Sequence, residues 1–293
     1  MFKSWEVKLR NLRVKLLGYV PDILLKPVAE SSDVFKKILP YNFYILLNIQ
    51  DTSISRPLLI KGSYEQSVSE LFVKYLKPDS CVIDIGANIG YYSLLAASQC
   101  PRGKVLSFEP DNKNFQLLKT SIAYNQFEEI IQAYNLAVSD ANKTIIISDL
   151  GNTANSGARF TAEDENLLKS LISAPDAYFQ KIEAIQLDTF LTEIRVDVVK
   201  IDIEGHEPYA ILGMLNILKR DQPIIFAELA PSNIKLLGGM EAADFLQLLL
   251  NIGYRISLIE KRGNLLEFNQ DIPAVMSYFG QQKTHHVDIL LTV

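Results

Sequence analysis

The chain has 293 residues, of which 48% are apolar, and it carries a net charge of −5. This length suffices for one large domain, or for one domain with an appendage, and the acidic balance gives no reason to expect a nucleic-acid partner. Two cysteines, Cys81 and Cys100, are too few for a disulfide framework and favour reduced thiols over a single bridge. No apolar stretch approaches the roughly 18–20 residues of a membrane span, and charges interrupt the first 17 residues, where a secretory signal would lie. We therefore expect a soluble, cytoplasmic protein.

The first 17 residues, MFKSWEVKLRNLRVKLL, predict an amphipathic helix. Its apolar positions recur at intervals of three and four residues, which places them on one helical face: Phe2, Trp5, Leu9, Leu12 and Leu16. Basic residues surround this stripe, and Glu6 is the only acid among them. Such a helix can dock on its own domain, join subunits in a self-association, or make peripheral contact with an anionic membrane surface. The sequence leaves these three interpretations open.

Two apolar runs follow, YILLNIQ (44–50) and RPLLIKGSYE (56–65), on either side of the polar segment DTSIS. They predict a β-hairpin that leads into a helix over 67–76. We accordingly expect an N-terminal helical segment and β-hairpin over 1–65 and a main domain over 66–293.

From Cys81 onward, short apolar runs alternate with longer amphipathic stretches, which is typical of a parallel sheet flanked by helices. Seven runs predict strands: CVIDI (81–85), KVLSF (104–108), QAYNLAV (132–138), VVKIDI (198–203), PIIFAEL (223–229), YRISLIE (254–260) and VDILLTV (287–293). Helices are predicted near 91–99, 111–125, 207–219 and 241–252. The last run follows a turn-like region around Gly280, which leaves too little chain for a helical crossover, so we expect an antiparallel last strand. The predicted fold is a doubly wound, mostly parallel seven-stranded α/β sheet.

The segment 150–183 differs from the rest because it is polar and long, with a helix predicted near 162–172. A connection of this length inside a domain usually serves as a lid or a binding loop. We expect it to be a substrate-side insertion.

A glycine turn follows the first core strand in VIDIGANIGYYS (82–93), and the next strand ends in Glu109, 25 residues after Asp84. An acid at that second position usually holds a ribose diol, both in dinucleotide sites and in S-adenosylmethionine sites. Asp84 favours the second cofactor, because a pyrophosphate about 4 Å away would be repelled by roughly 4 kcal/mol. The third glycine of the dinucleotide fingerprint is also absent, since position 88 is Asn88. The alternative for Asp84 is a simple helix cap.

A second charged stretch is VVKIDIEGHEP (198–208), where Lys200, Asp202 and Glu204 share one face of the predicted strand. Ionisable groups are costly inside a doubly wound sheet but reasonable at the carboxyl end of a strand, where ligands bind. Glu228 ends the next strand and would face the same crevice. A solvated salt-bridge face is the alternative, and His206 is either a base or an ordinary residue at a helix start.

Several of these segments together resemble the FkbM-type methyltransferase family. The resemblance runs from about Gly62 to Leu229 and rests on six motifs: VIDIGANIGYYSLLAA, VLSFEPDNKNFQLLKTSI, NLAVSD, LDTFL, KIDIEGHEPYAILGM and IIFAEL. It implies a class I, Rossmann-like methyltransferase fold that uses S-adenosyl-L-methionine to methylate a hydroxyl. Acceptors in this family are sugars in polysaccharide or glycolipid pathways, or secondary metabolites, so the resemblance implies a small-molecule or glycan acceptor.

The resemblance also implies roles for individual residues. The turn around the methionine part of the cofactor would consist of Asp84, Gly86, Ala87, Asn88 and Gly90. Glu109 would hold the ribose, and Asn135 to Ala137, near Ser139 and Asp140, would lie beside the adenine. Asp202, Glu204 and Glu228 would face the sulfonium and the acceptor, and Glu65 would close over the cofactor.

An alcohol is a poor nucleophile at neutral pH, so we expect a general base, Asp202 first and His206 second. A divalent metal held by Asp202, Glu204 and Glu228 is an alternative, but clustered carboxylates do not by themselves indicate one, and we expect no metal. The alternative functions are a nicotinamide-dependent oxidoreductase and a cofactor-binding protein without catalysis.

Overall fold

The computed structural model describes residues 25–27, 33–149, 159–162, 165–171, 178–268, 270–282 and 284–293. The amphipathic helix predicted over 1–17 lies outside the described residues, and so does part of the predicted insertion over 150–183. Within the described residues, no helix is both long and apolar enough to cross a membrane.

An eight-stranded sheet forms the centre of the fold. Its order is β14 (Leu265–Glu267), β13 (Arg255–Ile259), β15 (Val287–Thr292), β12 (Ile224–Leu229), β11 (Val198–Ile201), β4 (Cys81–Ile85), β5 (Lys104–Phe108) and β6 (Ile131–Tyr134). β15 runs antiparallel between β12 and β13, as predicted. The reason given for that prediction is wrong, because the region around Gly280 is not a turn but the helix Ile272–Gln281. The other predicted strands are parallel to one another, and the structure adds the short antiparallel edge strand β14 to the seven expected.

Helices cover both faces of this sheet, because alternate strand residues belong to two separate apolar cores. One core contains Ile83 and Val199 and packs against α6 (Leu187–Phe190), α7 (Glu207–Leu212), α8 (Leu215–Asp221), α9 (Pro231–Leu237), α10 (Ala242–Asn251) and α11 (Ile272–Gln281). The other contains Val82 and Val198 and packs against α1 (Ser55–Lys61), α2 (Gln66–Tyr75), α3 (Tyr91–Gln99) and α4 (Asn112–Asn125). The doubly wound prediction is confirmed. The single helix expected over 207–219 is divided into α7 and α8.

A β-hairpin precedes the sheet, but its strands differ from those predicted. β2 (Asp33–Ile38) pairs with β3 (Phe43–Asn48), and the short β1 (Leu25–Pro27) adds to β2. The predicted second strand, 56–65, is wrong, because 55–61 forms the helix α1. Asp51 explains the difference: its carboxylate accepts hydrogen bonds from the backbone N–H groups of Ser53, Ile54 and Ser55, so the polar segment starts a helix instead of turning a hairpin.

A second, four-stranded sheet has the order β7 (Ala137–Val138), β10 (Phe179–Ile185), β8 (Lys143–Asp149) and β9 (Arg159–Ala162). The run 132–138, predicted as one strand, is therefore divided: β6 stays in the central sheet, and β7 pairs in parallel with β10. The helix predicted near 162–172 is α5 (Glu165–Leu171). Single 3-10 turns occupy Leu39–Tyr41 and Lys261–Gly263.

Candidate active site

Two cavities open at the edge of the central sheet where β4, β5, β11 and β12 end. The Glu109 cavity holds about 530 Å³ of empty space, and the Asp84 cavity holds about 960 Å³, in both cases including space open to solvent. Both are lined by Gly86, Asn88, Asp202 and Glu204, so these four residues stand where the cavities meet. The carboxyl edge of an open α/β sheet is the usual place for a ligand.

The glycine turn after β4 is held against the neighbouring strands. The backbone N–H groups of Gly86 and Ala87 both donate to the Phe108 carbonyl, at 2.9 and 3.0 Å. Gly86 has a φ of +81°, and a Cβ placed on it would lie 2.0 Å from the carbonyl oxygen of Asp202. Only glycine fits this close approach between the turns after β4 and β11. Gly90, with a φ of +95°, is the N-cap of α3 and lies outside the lining of both cavities.

Glu109 is buried at the end of β5, and its carboxylate is held in place by the backbone. One oxygen accepts from the Asn88 N–H at 2.7 Å, and the other accepts from the Asp111 N–H at 2.8 Å. Asn135 fastens the same region, because its side-chain amide donates to the carbonyls of Glu109 and Pro110. Ala137 lines the Glu109 cavity beside them. Each oxygen of an ionised carboxylate can accept more than one hydrogen bond, so a pair of ligand hydroxyls can be added to this arrangement.

Asp84 is buried on β4 and lines the Asp84 cavity. One carboxylate oxygen accepts from the Ser93 hydroxyl at 2.5 Å, and in the strand register Asp84 lies opposite Lys200 of β11. Burial raises the pKa of Asp84 to about 6, although the Ser93 hydrogen bond and the Lys200 charge both act to lower it. Through Ser93, Asp84 also contacts the first turn of α3, so a role at the helix start and a role toward a ligand are compatible.

Lys200 is the counter-ion of the site, and its ammonium is fully buried. The Nζ atom lies 3.2 Å from an Asp202 carboxylate oxygen and 5.0 Å from the centre of the Tyr92 ring. Burial lowers the pKa of Lys200, but the charges of Asp202, Glu65 and Asp288 outweigh burial and raise it. Lys200 is therefore charged, and it holds Asp202 in place.

Acidic side chains outnumber this cation. Burial, followed by repulsion from other carboxylates, raises the pKa of Glu204 to about 8 and also raises the pKa of Glu228. Burial likewise raises the pKa of Asp288 to about 7, with further contributions from Glu65 and Asp202 that Lys200 opposes. Carboxyl groups that hold their protons for this reason mark a site with a shortage of positive charge.

The remaining predicted residues are placed on different sides. Glu65, with a φ of +41°, lines the Asp84 cavity and accepts from the Tyr92 hydroxyl at 2.7 Å. His206 is buried against the Glu109 cavity, where its Nε2 lies 3.3 Å from the Ser139 hydroxyl and its ring packs on Tyr209. The structure thus brings Glu65, Asp84, Asp202, Glu204 and Glu228 together and separates His206 from them.

Three contributors were not singled out from the sequence: Tyr92, His286 and Asp288. His286 pairs with Glu228 through Nδ1 at 3.0 Å, and Asp288 lies opposite Glu228 in the strand register. The predicted antiparallel last strand was the signal that could have found the latter two, because such a strand begins at the edge where the others end. Among the residues that the structure describes, no group of three or more His, Cys, Asp or Glu side chains is arranged to hold a metal ion.

Comparison with known proteins identifies the family. Residues 84–256, more than half of the chain, match the family model described as the methyltransferase FkbM domain. The chain belongs to the FkbM methyltransferase family.

Individual relatives are distant. The chain is 22% identical over 194 residues to methyltransferase sdnD of Sordaria araneosa, covering 59% of this chain and 72% of that protein. It is 26% identical over 168 residues to the AMB antimetabolite synthetase AmbE of Pseudomonas aeruginosa (47% of this chain, 8% of AmbE). It is 24% identical over 155 residues to the hexuronic acid methyltransferase AglP of Haloferax volcanii, covering 53% of this chain and 58% of AglP. The chain therefore spans less than two thirds of AmbE and of AglP. The crystal structure of methyltransferase FkbM from Methylobacillus flagellatus superposes with a TM-score of 0.44 at 15% identity, covering 73% of this chain and 44% of that one.

Proposed function

We propose that the protein is an S-adenosylmethionine-dependent O-methyltransferase, whose acceptor is a hydroxyl of a sugar or of a secondary metabolite. The observation that carries the proposal is the excess of carboxyl groups around the Asp84 cavity, where Asp84 is buried and four others are half-buried, with Lys200 as the buried cation among them. S-adenosylmethionine brings an ammonium and a sulfonium, which such a site attracts. A dinucleotide would instead bring an anionic pyrophosphate.

The residues of the two cavities fit the parts of this cofactor. Glu109, fixed by two backbone N–H groups, suits the ribose hydroxyls. The turn at Gly86, which has no room for a Cβ, suits close approach of a ligand to the backbone. Asp84 and Asp202 are placed to attract the cationic end, and Ala137 and His206 would border the adenine.

The acceptor is proposed to enter from the Asp84 cavity. The cofactor supplies an electrophilic methyl group, so the chain's own task is to align a hydroxyl oxygen and to remove its proton. Tyr64, Tyr91 and Tyr92 line this cavity together with the carboxyl groups, which suits a ligand with both apolar and hydrogen-bonding surfaces. The activity named for AglP, methylation of a hexuronic acid, supports a sugar among the candidates.

The predicted insertion is represented in the described residues by β9, α5 and the first part of β10. Thr161 of β9, together with Ile147 of β8, lines the Glu109 cavity. We propose that the 150–183 segment contributes to recognition of the acceptor.

The test is methyl transfer from isotopically labelled S-adenosylmethionine to a panel of hexuronic acids, neutral glycosides and hydroxylated secondary metabolites. Mass spectrometry is expected to find one labelled methyl ether on a hydroxyl, and a chelator arm of the same assay tests the metal alternative. Label on a nitrogen or carbon atom, or cofactor binding without transfer to any hydroxyl, would contradict the proposal.

A further inference from the structure

We propose that His286, oriented by Glu228, is the catalytic base that takes the proton of the acceptor hydroxyl. This proposal rests on the proposed function. It places part of the active site outside residues 84–256, the region that matches the family. It also moves the role of base away from Asp202 and His206.

The topology brings the two residues together. Because β15 runs antiparallel to β12, its first residue, Val287, pairs with Leu229, the last residue of β12. His286, immediately before β15, therefore stands at the carboxyl edge of the sheet, beside Glu228. Both side chains line the Asp84 cavity.

The geometry of the pair suits a base and its orienting group. The Nδ1 atom of His286 lies 3.0 Å from a Glu228 carboxyl oxygen. The Glu228 side chain is 12% exposed, whereas the imidazole is 57% exposed, so the carboxyl group is held in the wall and the ring faces the space where a ligand enters. With Nδ1 turned to Glu228, Nε2 is the ring atom left to accept a proton. The same division of roles orients the histidine of many hydrolytic sites.

Of the chain's two other histidines, His206 is buried on the other side of the turn, and His285 lines the same cavity as His286. His206 is buried on the side of the Glu109 cavity, against Ser139. The contact with Glu228 is made by His286 and not by its neighbour His285. Asp202 already accepts from the Lys200 ammonium, so one of its oxygens is engaged in that ion pair.

The charges that surround Glu228 link the pair to the cofactor. Asp202, Glu204 and Glu207 of α7 repel its ionised form, and Lys200 of β11 attracts it. His286 contacts Glu228, and Asp288 of β15 lies opposite it in the strand register. Burial and these carboxyl groups raise the pKa of Glu228, so it tends to hold a proton until a cation arrives. A bound cation favours the ionised Glu228, which accepts the Nδ1–H of His286 and leaves the Nε2 lone pair ready.

The transfer then conserves charge within the site. A bound S-adenosylmethionine would supply the methyl carbon to the acceptor oxygen and would keep the electron pair of the broken sulfur–carbon bond on sulfur. The hydroxyl proton passes to Nε2 of His286. The positive charge thus moves from sulfur to an imidazolium ion beside Glu228, which stabilises it, and the proton leaves through the exposed ring to solvent.

Two variants and a matched control test this. His286→Gln is expected to keep the melting temperature and the calorimetric affinity for S-adenosylmethionine within about threefold, because the ring is largely exposed, while turnover falls by about 10²–10⁴. Added imidazole should restore part of that turnover. His285→Gln changes the preceding residue, which lines the same cavity but does not make the ion-pair contact with Glu228, and is expected to lose no more than a few-fold in turnover. Equal turnover of His286→Gln and the wild type would overturn the proposal.

A second measurement needs no acceptor. Calorimetry of S-adenosylmethionine binding in buffers of different ionisation enthalpy should show proton release by the wild type at neutral pH, and less release by Glu228→Gln. Identical proton release by both proteins would refute the link between Glu228 and the cofactor. Failure of the proposed function is distinct from either result, since it would appear as a wild type that binds no S-adenosylmethionine or methylates no hydroxyl.

Discussion

Asp84→Asn is expected to make the folded protein more stable and its cofactor site weaker. Burial raises the pKa of Asp84 to about 6 from an ordinary value of 3.8. Since one pKa unit corresponds to about 1.4 kcal/mol, keeping Asp84 ionised in the folded state at neutral pH costs about 3 kcal/mol. Asparagine has the same shape and no charge, and its side-chain oxygen can still accept from Ser93. The variant should therefore avoid most of that cost.

The difference in stability between the wild type and Asp84→Asn is expected to depend on pH. A carboxyl group whose pKa is raised in the folded state stabilises the fold while it is protonated, and this stability is lost as pH rises through the folded pKa. The free energies of unfolding of the wild type and of Asp84→Asn should thus be similar near pH 4 and diverge, in favour of the variant, by about 1–3 kcal/mol above about pH 7. Urea denaturation followed by circular dichroism at both pH values measures the difference. The same difference in free energy of unfolding at both pH values would show that burial does not destabilise the ionised Asp84 carboxylate.

Asp84→Asn is expected to weaken cofactor binding even though it stabilises the fold. Loss of a hydrogen bond to a charged group weakens binding by about 1.5–3 kcal/mol, so Asp84→Asn should bind S-adenosylmethionine at least about tenfold more weakly. Calorimetric titration of the two proteins checks it. A variant that is more stable and binds the cofactor as tightly as the wild type would leave Asp84 without a role toward the cation.

Three further variants probe other parts of the site. Glu109→Ala should weaken S-adenosylmethionine binding by roughly 1.5–3 kcal/mol and lower the melting temperature, because two backbone N–H groups lose their acceptor; an unchanged calorimetric affinity would show that the ribose assignment is wrong. Gly86→Ala should abolish cofactor binding and destabilise the fold, since its Cβ would lie 2.0 Å from a backbone oxygen, whereas the control Gly280→Ala, with nothing within 4 Å of its Cβ, should leave binding unchanged. Asp202→Asn removes the ion-pair partner of the buried Lys200 and should cost about 3–5 kcal/mol of stability in denaturant unfolding. Adding Lys200→Met to that variant should restore stability but not cofactor binding, and a double variant as unstable as the single one would argue against a buried ion pair.

The sheet can be predicted from the sequence because its signals are local. Continuous apolar runs mark the buried strands. The antiparallel direction of the last strand does not follow from a turn at Gly280, because Gly280 lies inside α11. Because parallel strands end at one edge of a sheet, the same runs also predict that the acidic residues near their ends lie along that edge. Asp84, Asp202 and Glu228 line one cavity there, and Glu109 lines the adjoining one.

The elements that the sequence does not reveal depend on contacts between distant parts of the chain. The run 132–138 divides because β7 pairs with β10, more than 40 residues further on. Residues 55–61 form a helix because Asp51 accepts hydrogen bonds from the N–H groups at the start of that helix. An aspartate in a polar segment does not by itself indicate this role. His206 follows the charged strand closely in sequence, yet the turn at Gly205 carries it to the other cavity.

The function of this site depends most directly on which cofactor the acidic crevice binds. Calorimetric titration of the wild-type protein with S-adenosylmethionine, S-adenosylhomocysteine and NAD⁺ measures this. The predicted result is saturable binding of the first two ligands and none of NAD⁺, whose pyrophosphate would lie among the carboxyl groups of Asp84, Asp202 and Glu204. Binding of NAD⁺, or no binding of S-adenosylmethionine by folded protein, would contradict it.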